Sequence, residues 1–130
     1  MYFRLVTSTT DADSQRRLGV FHPAYDLYRA LRDRSPDHHD VQALKELLVW
    51  FEENLDTPSR LRSRRCGQTK TAICWFKDSA KGHIQRLFEV RRILQDNGIT
   101  SEIVNTDRPG VVLYEDAYQI AAIPFADSDA

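Results

Sequence analysis

The chain is poor in the residues that build special chemistry: among 130 residues there are two cysteines, four histidines, one methionine, five glycines and five prolines. Cys66 and Cys74 form no Cys-x-x-Cys pair and no His-Cys spacing that suggests zinc. Cys66, in a polar and basic stretch, reads as an exposed loop thiol, and Cys74, inside an apolar run, as a small buried core residue. A disulfide between them is not expected of a cytoplasmic protein. The sequence has no glycine-rich phosphate loop, no Gly-x-Ser-x-Gly elbow and no His-Glu-x-x-His. Those absences count against the commonest enzyme classes, although catalytic groups can also converge from distant positions. No apolar run approaches the roughly eighteen residues of a membrane span. The first residues, with Arg4 inside their only apolar stretch, lack the layout of a signal peptide, so the expected location is the cytoplasm.

What is present is the composition of a folded soluble protein, 42% hydrophobic and 28% charged, at a length that suits one domain spanning residues 1–130. The net charge of −1 hides three blocks. Met1 to Ser59 holds seven Lys or Arg against ten Asp or Glu, net −3; Arg60 to Arg92 holds ten against two, net +8; Ile93 to Ala130 holds one against seven, net −6. Cations crowded into one segment are the footprint of a partner bearing phosphates or carboxylates, and an acidic surface of the protein itself can also play that part.

Hydrophobic periodicity gives the elements. Tyr2 to Val6 alternates as a strand, and the polar stretch Thr7 to Arg17 reads as a loop. Pro23 suits a helix start, and Ala24, Leu27, Tyr28 and Leu31 mark one face of a helix running to Arg34. After the break Ser35 to Asp40, a second stripe of Leu44, Leu47, Leu48, Phe51 and Leu55 predicts another helix, stopped by Pro58, so the two form a hairpin. Residues 57–70 then read as a basic loop with room to move. Thr71 to Phe76 is apolar on both faces, as a central strand is. Asp78-Ser79 reads as the cap of a five-turn helix ending at Asn97-Gly98, and Ile99 to Thr106, Val111 to Tyr114 and Tyr118 to Ile123 read as strands. The expected fold is therefore α+β: one domain with a mixed β-sheet of about five strands, an N-terminal helical hairpin, and one β-α-β crossover with parallel strands, followed by a three-stranded meander.

Four groupings carry candidate chemistry. Arg60, Arg62, Arg64, Arg65 and Lys70, continued by Lys77, Lys81, Arg86, Arg91 and Arg92, form a basic face suited to successive phosphates, or a solvated charged surface. No aromatic residue is interleaved with the arginines, which tells against a stacking platform for single strands. Asp37, His38, His39 and Asp40 have metal-ligand types, but adjacent histidines at a helix start point about a hundred degrees apart, and capping explains both aspartates. No metal or other cofactor is expected. Glu102, Asp107, Glu115 and Asp116, with Arg108 beside them and Asp78 and Lys81 at the far end of the crossover, have the residue types of a magnesium site without its spacing. Turn formation and edge-strand protection account for them equally well. His22, His83, Tyr25 and Tyr28 are acid-base candidates. Each also has a structural reading: His22 as a helix-start residue, His83 as an exposed or capping residue, and the tyrosines as helix-face packing.

Trp75 to Ala80, with Thr106-Asp107-Arg108-Pro109-Gly110 and Tyr114-Glu115-Asp116, resembles the C-terminal half of small uncharacterised bacterial proteins, over about fifty residues. The resemblance implies no activity, substrate or site. The expected function is a non-enzymatic interaction module whose basic face, residues 60–92, meets an acidic partner, with nucleic acid preferred. A small metal-independent RNase is one alternative; it requires Arg and His or Tyr to converge in one cleft. Self-association of the basic block with the acidic block of another copy is the other.

Overall fold

The computed structural model describes residues 1–10, 17–59, 62–65 and 68–125, with residues 8–10, 17–18, 62–65 and 68–71 described as backbone alone. Its elements run β1 (Tyr2–Thr10), β2 (Arg17–Gly19), α1 (Phe21–Arg34), α2 (His39–Asn54), β3 (Arg62–Arg65), β4 (Gln68–Thr71), β5 (Ile73–Lys77), α3 (Lys81–Asp96), β6 (Glu102–Thr106), β7 (Val111–Glu115) and β8 (Gln119–Ile123). The α+β class holds, and among the described residues no helix is long and apolar enough to cross a membrane.

The helices follow their apolar stripes. In α1, Ala24, Leu27 and Leu31 are buried, and the helix begins two residues ahead of Pro23. A backbone hydrogen bond from Ser35 to the Leu31 carbonyl closes its end. In α2, Leu44, Leu47, Leu48 and Phe51 are buried. This helix stops at Asn54, where Leu55 turns extended, so Pro58 lies beyond the end it was expected to make. The α3 helix is preceded by Ala80, which caps it without a side-chain bond; Asp78-Ser79 forms the turn before it instead of the cap. At its far end Gly98 takes φ +84°, a conformation costly for any residue with a Cβ, and the Ile99 N–H reaches back to the Leu94 carbonyl at 2.8 Å.

The sheet has six strands in the order β6-β1-β5-β8-β7, with β2 also paired to β1, and every neighbouring pair is antiparallel where a mixed sheet was expected. The crossover strands β5 and β6 are each antiparallel to β1, so they run parallel to one another as expected, with β1 lying between them. The anticipated meander is two pieces. The β7–β8 hairpin continues the sheet past β5, whereas β6 crosses to the opposite edge. Gly110 opens that hairpin with φ +127°, and a Cβ there would lie 1.9 Å from the Ile123 carbonyl oxygen.

The stretch expected as a loop after Val6 extends β1 to Thr10, and β2 pairs with that extension at Val6↔Gly19 and Thr10↔Arg17. Residues 57–70 likewise include more than a loop. Here β3 and β4 form a separate two-stranded antiparallel ribbon in register Arg62↔Thr71 to Arg65↔Gln68.

Two apolar clusters sandwich the sheet. Leu5 and Phe76 pack with the buried faces of α1, α2 and α3. On the other face Ile73, Trp75, Ile120 and Ala122 pack together, with Tyr2 and Val104 beside them. One detail of register creates the site. β1 pairs with β5 only at Tyr2↔Lys77 and Phe3↔Phe76, after which the same edge of β1 turns to β2. The sheet therefore forks.

Candidate binding cleft

The fork opens into a cavity of about 430 Å³ between the sheet and the ends of α1 and α2. Arg4 and Leu5 of β1, Gly19, Val20, Phe21 and Tyr25, then Phe51, Glu52 and Leu55 line it, facing Ala72 to Phe76 along β5. Asp56, Thr57 and Pro58 form part of the rim, and Gln119 closes the wall on the β8 side. The walls are mainly apolar with a few polar groups, the usual make-up of a ligand cavity.

Three polar features are fixed by their surroundings. The Tyr25 hydroxyl donates to Glu52 Oε1 at 2.6 Å. Burial, that hydrogen bond and the nearby carboxylate push its pKa up to about 12, so it stays a neutral donor at all physiological pH. Gln119, 3% exposed, donates through Nε2 to the Asp56 carbonyl at 2.6 Å and to Asp116 Oδ2 at 3.1 Å, which ties the rim to the β7–β8 turn. Burial alone would push the Asp116 carboxyl up. Hydrogen bonds from the Tyr118 and Gln119 backbone, the Gln119 amide and the Tyr114 hydroxyl outweigh it and hold the group below the ordinary carboxylate range.

Cys74 corrects its sequence reading. It is exposed, because the fork leaves its side of β5 without a neighbouring strand where a core residue was expected. Apolar surroundings push its thiol pKa up while the Arg4 charge pulls it down. The net direction is upward, which leaves a weak nucleophile at neutral pH. Cys66 lies outside the described residues.

The described side chains of the basic face do not share one surface. Arg60 lies outside the described residues, and Arg62, Arg64, Arg65 and Lys70 are described only as backbone of the β3–β4 ribbon. Lys77 shares the Tyr2 register on the sheet face away from the helices, where it pairs with Glu115. Lys81 is exposed at the start of α3, in a shallow groove with Asp78. Arg86 lies flat over the Trp50 ring at 3.8 Å and donates to the Gly82 carbonyl. Arg91 donates to the Ser101 carbonyl, and Arg92 pairs with Asp96.

The other groupings resolve into structural roles. His38 is the extended N-cap of α2, its Nδ1 accepting from the Asp40 N–H at 3.1 Å, so it is not helical. Its ring consequently stacks on His39 at 4.5 Å instead of diverging from it by a helical step. The ligand-type atoms of His38, His39 and Asp40 lie within 4.8 Å of one another, but Asp40 is already held by Asn97 Nδ2 at 3.0 Å and approached by His39 Nε2 at 3.3 Å. Asp37 is exposed before this cap.

His83, expected as an exposed or capping residue, is 5% exposed. It stacks on Tyr118 at 4.3 Å and meets Trp50 edge-on, with Nε2 2.8 Å from the Asn54 carbonyl oxygen. His22 is exposed in the first turn of α1 beside Asp26, and Tyr28 packs half-buried against the helical core. Of the acidic set, Asp107 and Asp78 both approach the Met1 amino group, Glu115 pairs with Lys77, and Asp116 organises its turn. Glu102 sits on edge strand β6 opposite Val6. Arg108 lies over the Phe125 ring at 5.0 Å.

Sequence reasoning placed Tyr25 among the acid-base candidates but missed Glu52, Gln119 and Arg4 as its companions. The one local signal was a charged residue interrupting the first apolar strand. Compared with known proteins, the chain matches no family model, no curated protein and no solved structure.

Proposed function

We propose that the protein is a cytoplasmic, non-enzymatic module that binds single-stranded nucleic acid through the cleft and the basic segment Arg60 to Lys70. One observation carries this reading. Pro58 and Ala72, which flank the Arg60 to Lys70 segment in the chain, both line the cleft. That segment therefore departs from and returns to an apolar cavity lined by Phe21, Tyr25, Phe51 and Phe76. Phe21 and Tyr25, half-buried on α1, present the aromatic surface that the arginine run lacks in sequence. Phosphate contacts give affinity and strong salt dependence, and aromatic walls give base contacts worth roughly 1–3 kcal/mol each. The test is binding of RNA and DNA at two salt concentrations, comparing the intact protein with one in which Arg60, Arg62, Arg64 and Arg65 are changed to Ala. Salt-sensitive binding lost in the variant supports the reading, and no binding at low salt removes it.

A metal-independent RNase is the second reading, favoured by the presence of Arg4, Tyr25 and Glu52 in one cleft. In it Glu52 accepts the 2′-hydroxyl proton as the 2′-oxygen bonds to phosphorus, Arg4 faces the phosphate, and the protonated Tyr25 gives its proton to the 5′-oxygen as its bond to phosphorus breaks. No histidine lines the cleft among the described residues. Incubated RNA is expected to stay intact if the protein only binds. Fragments ending in 2′,3′-cyclic phosphate, made by the intact protein and absent with Glu52→Gln, would establish the enzyme instead. Self-association draws no such support, because Glu115, Asp107 and Asp116 of the acidic block are engaged within the fold.

A further inference from the structure

We infer that the cleft holds one unstacked base of the bound strand and prefers guanine, with the Glu52 carboxylate reading its Watson–Crick edge. The inference rests on the nucleic-acid reading above and adds what the cavity selects. Among the described lining residues there is one cation, Arg4, against two carboxylates, Glu52 and Asp56. For a bound strand that is not cleaved, this balance disfavours phosphate inside the cleft. The phosphates of the strand therefore stay outside it while an uncharged base enters. The cavity of about 430 Å³ accommodates a base with part of its sugar, and the rings of Phe21 and Phe51, packed edge to face with centroids 4.9 Å apart, give it apolar walls.

Glu52 sets the preference. One of its oxygens accepts from the Tyr25 hydroxyl at 2.6 Å, and the other has no hydrogen-bond partner among the described residues. A carboxylate accepts hydrogen bonds only. Guanine presents two adjacent donors on its Watson–Crick edge, N1–H and the N2 amino group. Adenine and cytosine each place one amino group beside an acceptor nitrogen, and uracil flanks its single N–H with two carbonyl oxygens that face the carboxylate unfavourably. The expected order is guanine first and uracil last. A good pairing with a base edge discriminates by about 1–3 kcal/mol, on the order of tenfold to a hundredfold in affinity.

The experiment compares a labelled oligouridine with the same strand carrying one central guanine, by fluorescence anisotropy at two salt concentrations. The guanine strand is expected to bind the intact protein at least about tenfold tighter. Glu52→Gln should bring the two strands to within about twofold while leaving the salt dependence intact, since the phosphate contacts are elsewhere. A second measurement needs no cleft variant: in Cys66→Ser protein, guanosine 5′-monophosphate should slow alkylation of Cys74 and uridine 5′-monophosphate should not. Equal binding of both strands, with salt sensitivity still lost on changing the four arginines, overturns the base pocket and leaves the nucleic-acid reading standing. Absence of binding to either strand at low salt overturns both.

Discussion

The Tyr25 hydroxyl and the Glu52 carboxylate, 2.6 Å apart, are a pair whose chemistry is set by where the two helices end. Burial is the first cause of the raised tyrosine pKa, and the carboxylate adds to it as hydrogen-bond acceptor and as like charge to the phenolate. A group whose pKa rises on folding contributes stability that is complete below its unfolded value and lost as pH climbs through the folded one. Here that window runs from 10.0 to about 12. Glu52→Gln removes the charge but not the burial. Ultraviolet titration of the variant is expected to show the Tyr25 ionisation moved down, yet still above 10.0; an unmoved transition would show that the pair does not exist in solution. Cys74 and His83 show why single residues mislead a reader of sequence. Each was placed by its immediate neighbours, one apolar and one polar, whereas their exposure is decided by partners far along the chain. Cys74 is uncovered because β1 leaves β5 after Phe3, and His83 is covered because Trp50 and Tyr118 close over it.

Helices were legible because their apolar stripe is a local pattern, and all three lie within a few residues of where the periodicity put them. Strand segments were also legible, but their pairing was not, since nothing local told β6 to leave the β7–β8 hairpin for the far edge of β1. Helix ends depend on contacts of both kinds. Asp40 lies at the start of α2, where a negative charge favours the helix dipole, and its buried carboxylate accepts from Asn97 at the end of α3. This bond joins two helices across 57 residues of chain. Asp40→Ala leaves the Asn97 amide with only the Ile93 carbonyl and removes the dipole partner, so it is expected to cost about 1–3 kcal/mol in urea unfolding. Asp37→Ala, at an exposed position just before the cap, should stay within about 0.5 kcal/mol. Equal costs at the two positions would make Asp40 an ordinary surface charge.

At the scale of the whole molecule, the cleft exists because one strand serves two partners along a single edge. The candidate site was legible as a charge excess and illegible as a place. Its cavity residues come from β1, β2, α1, α2, β5, α3 and β8 and from the segments between them, and none of them stands in a recognisable motif. The second half of the basic block was expected to extend the phosphate surface, but its described members are spread over both layers: Lys77 beneath the sheet with Glu115, Arg86 on Trp50, Arg92 with Asp96. The phosphate contacts are therefore expected to come mainly from Arg60 to Lys70, with Lys81 the exposed cation left in the second half, and the slope of binding against salt measures how many there are. The logarithm of affinity falls linearly with the logarithm of salt, and each lost phosphate contact lowers the steepness by about one. Changing Arg60, Arg62, Arg64 and Arg65 to Ala should flatten the line by up to about four, whereas Lys77→Ala should leave it parallel to the intact protein's. The opposite result, a flattened line for Lys77→Ala and an unchanged one for the four arginines, would put the strand across the lower face of the sheet and away from the cleft.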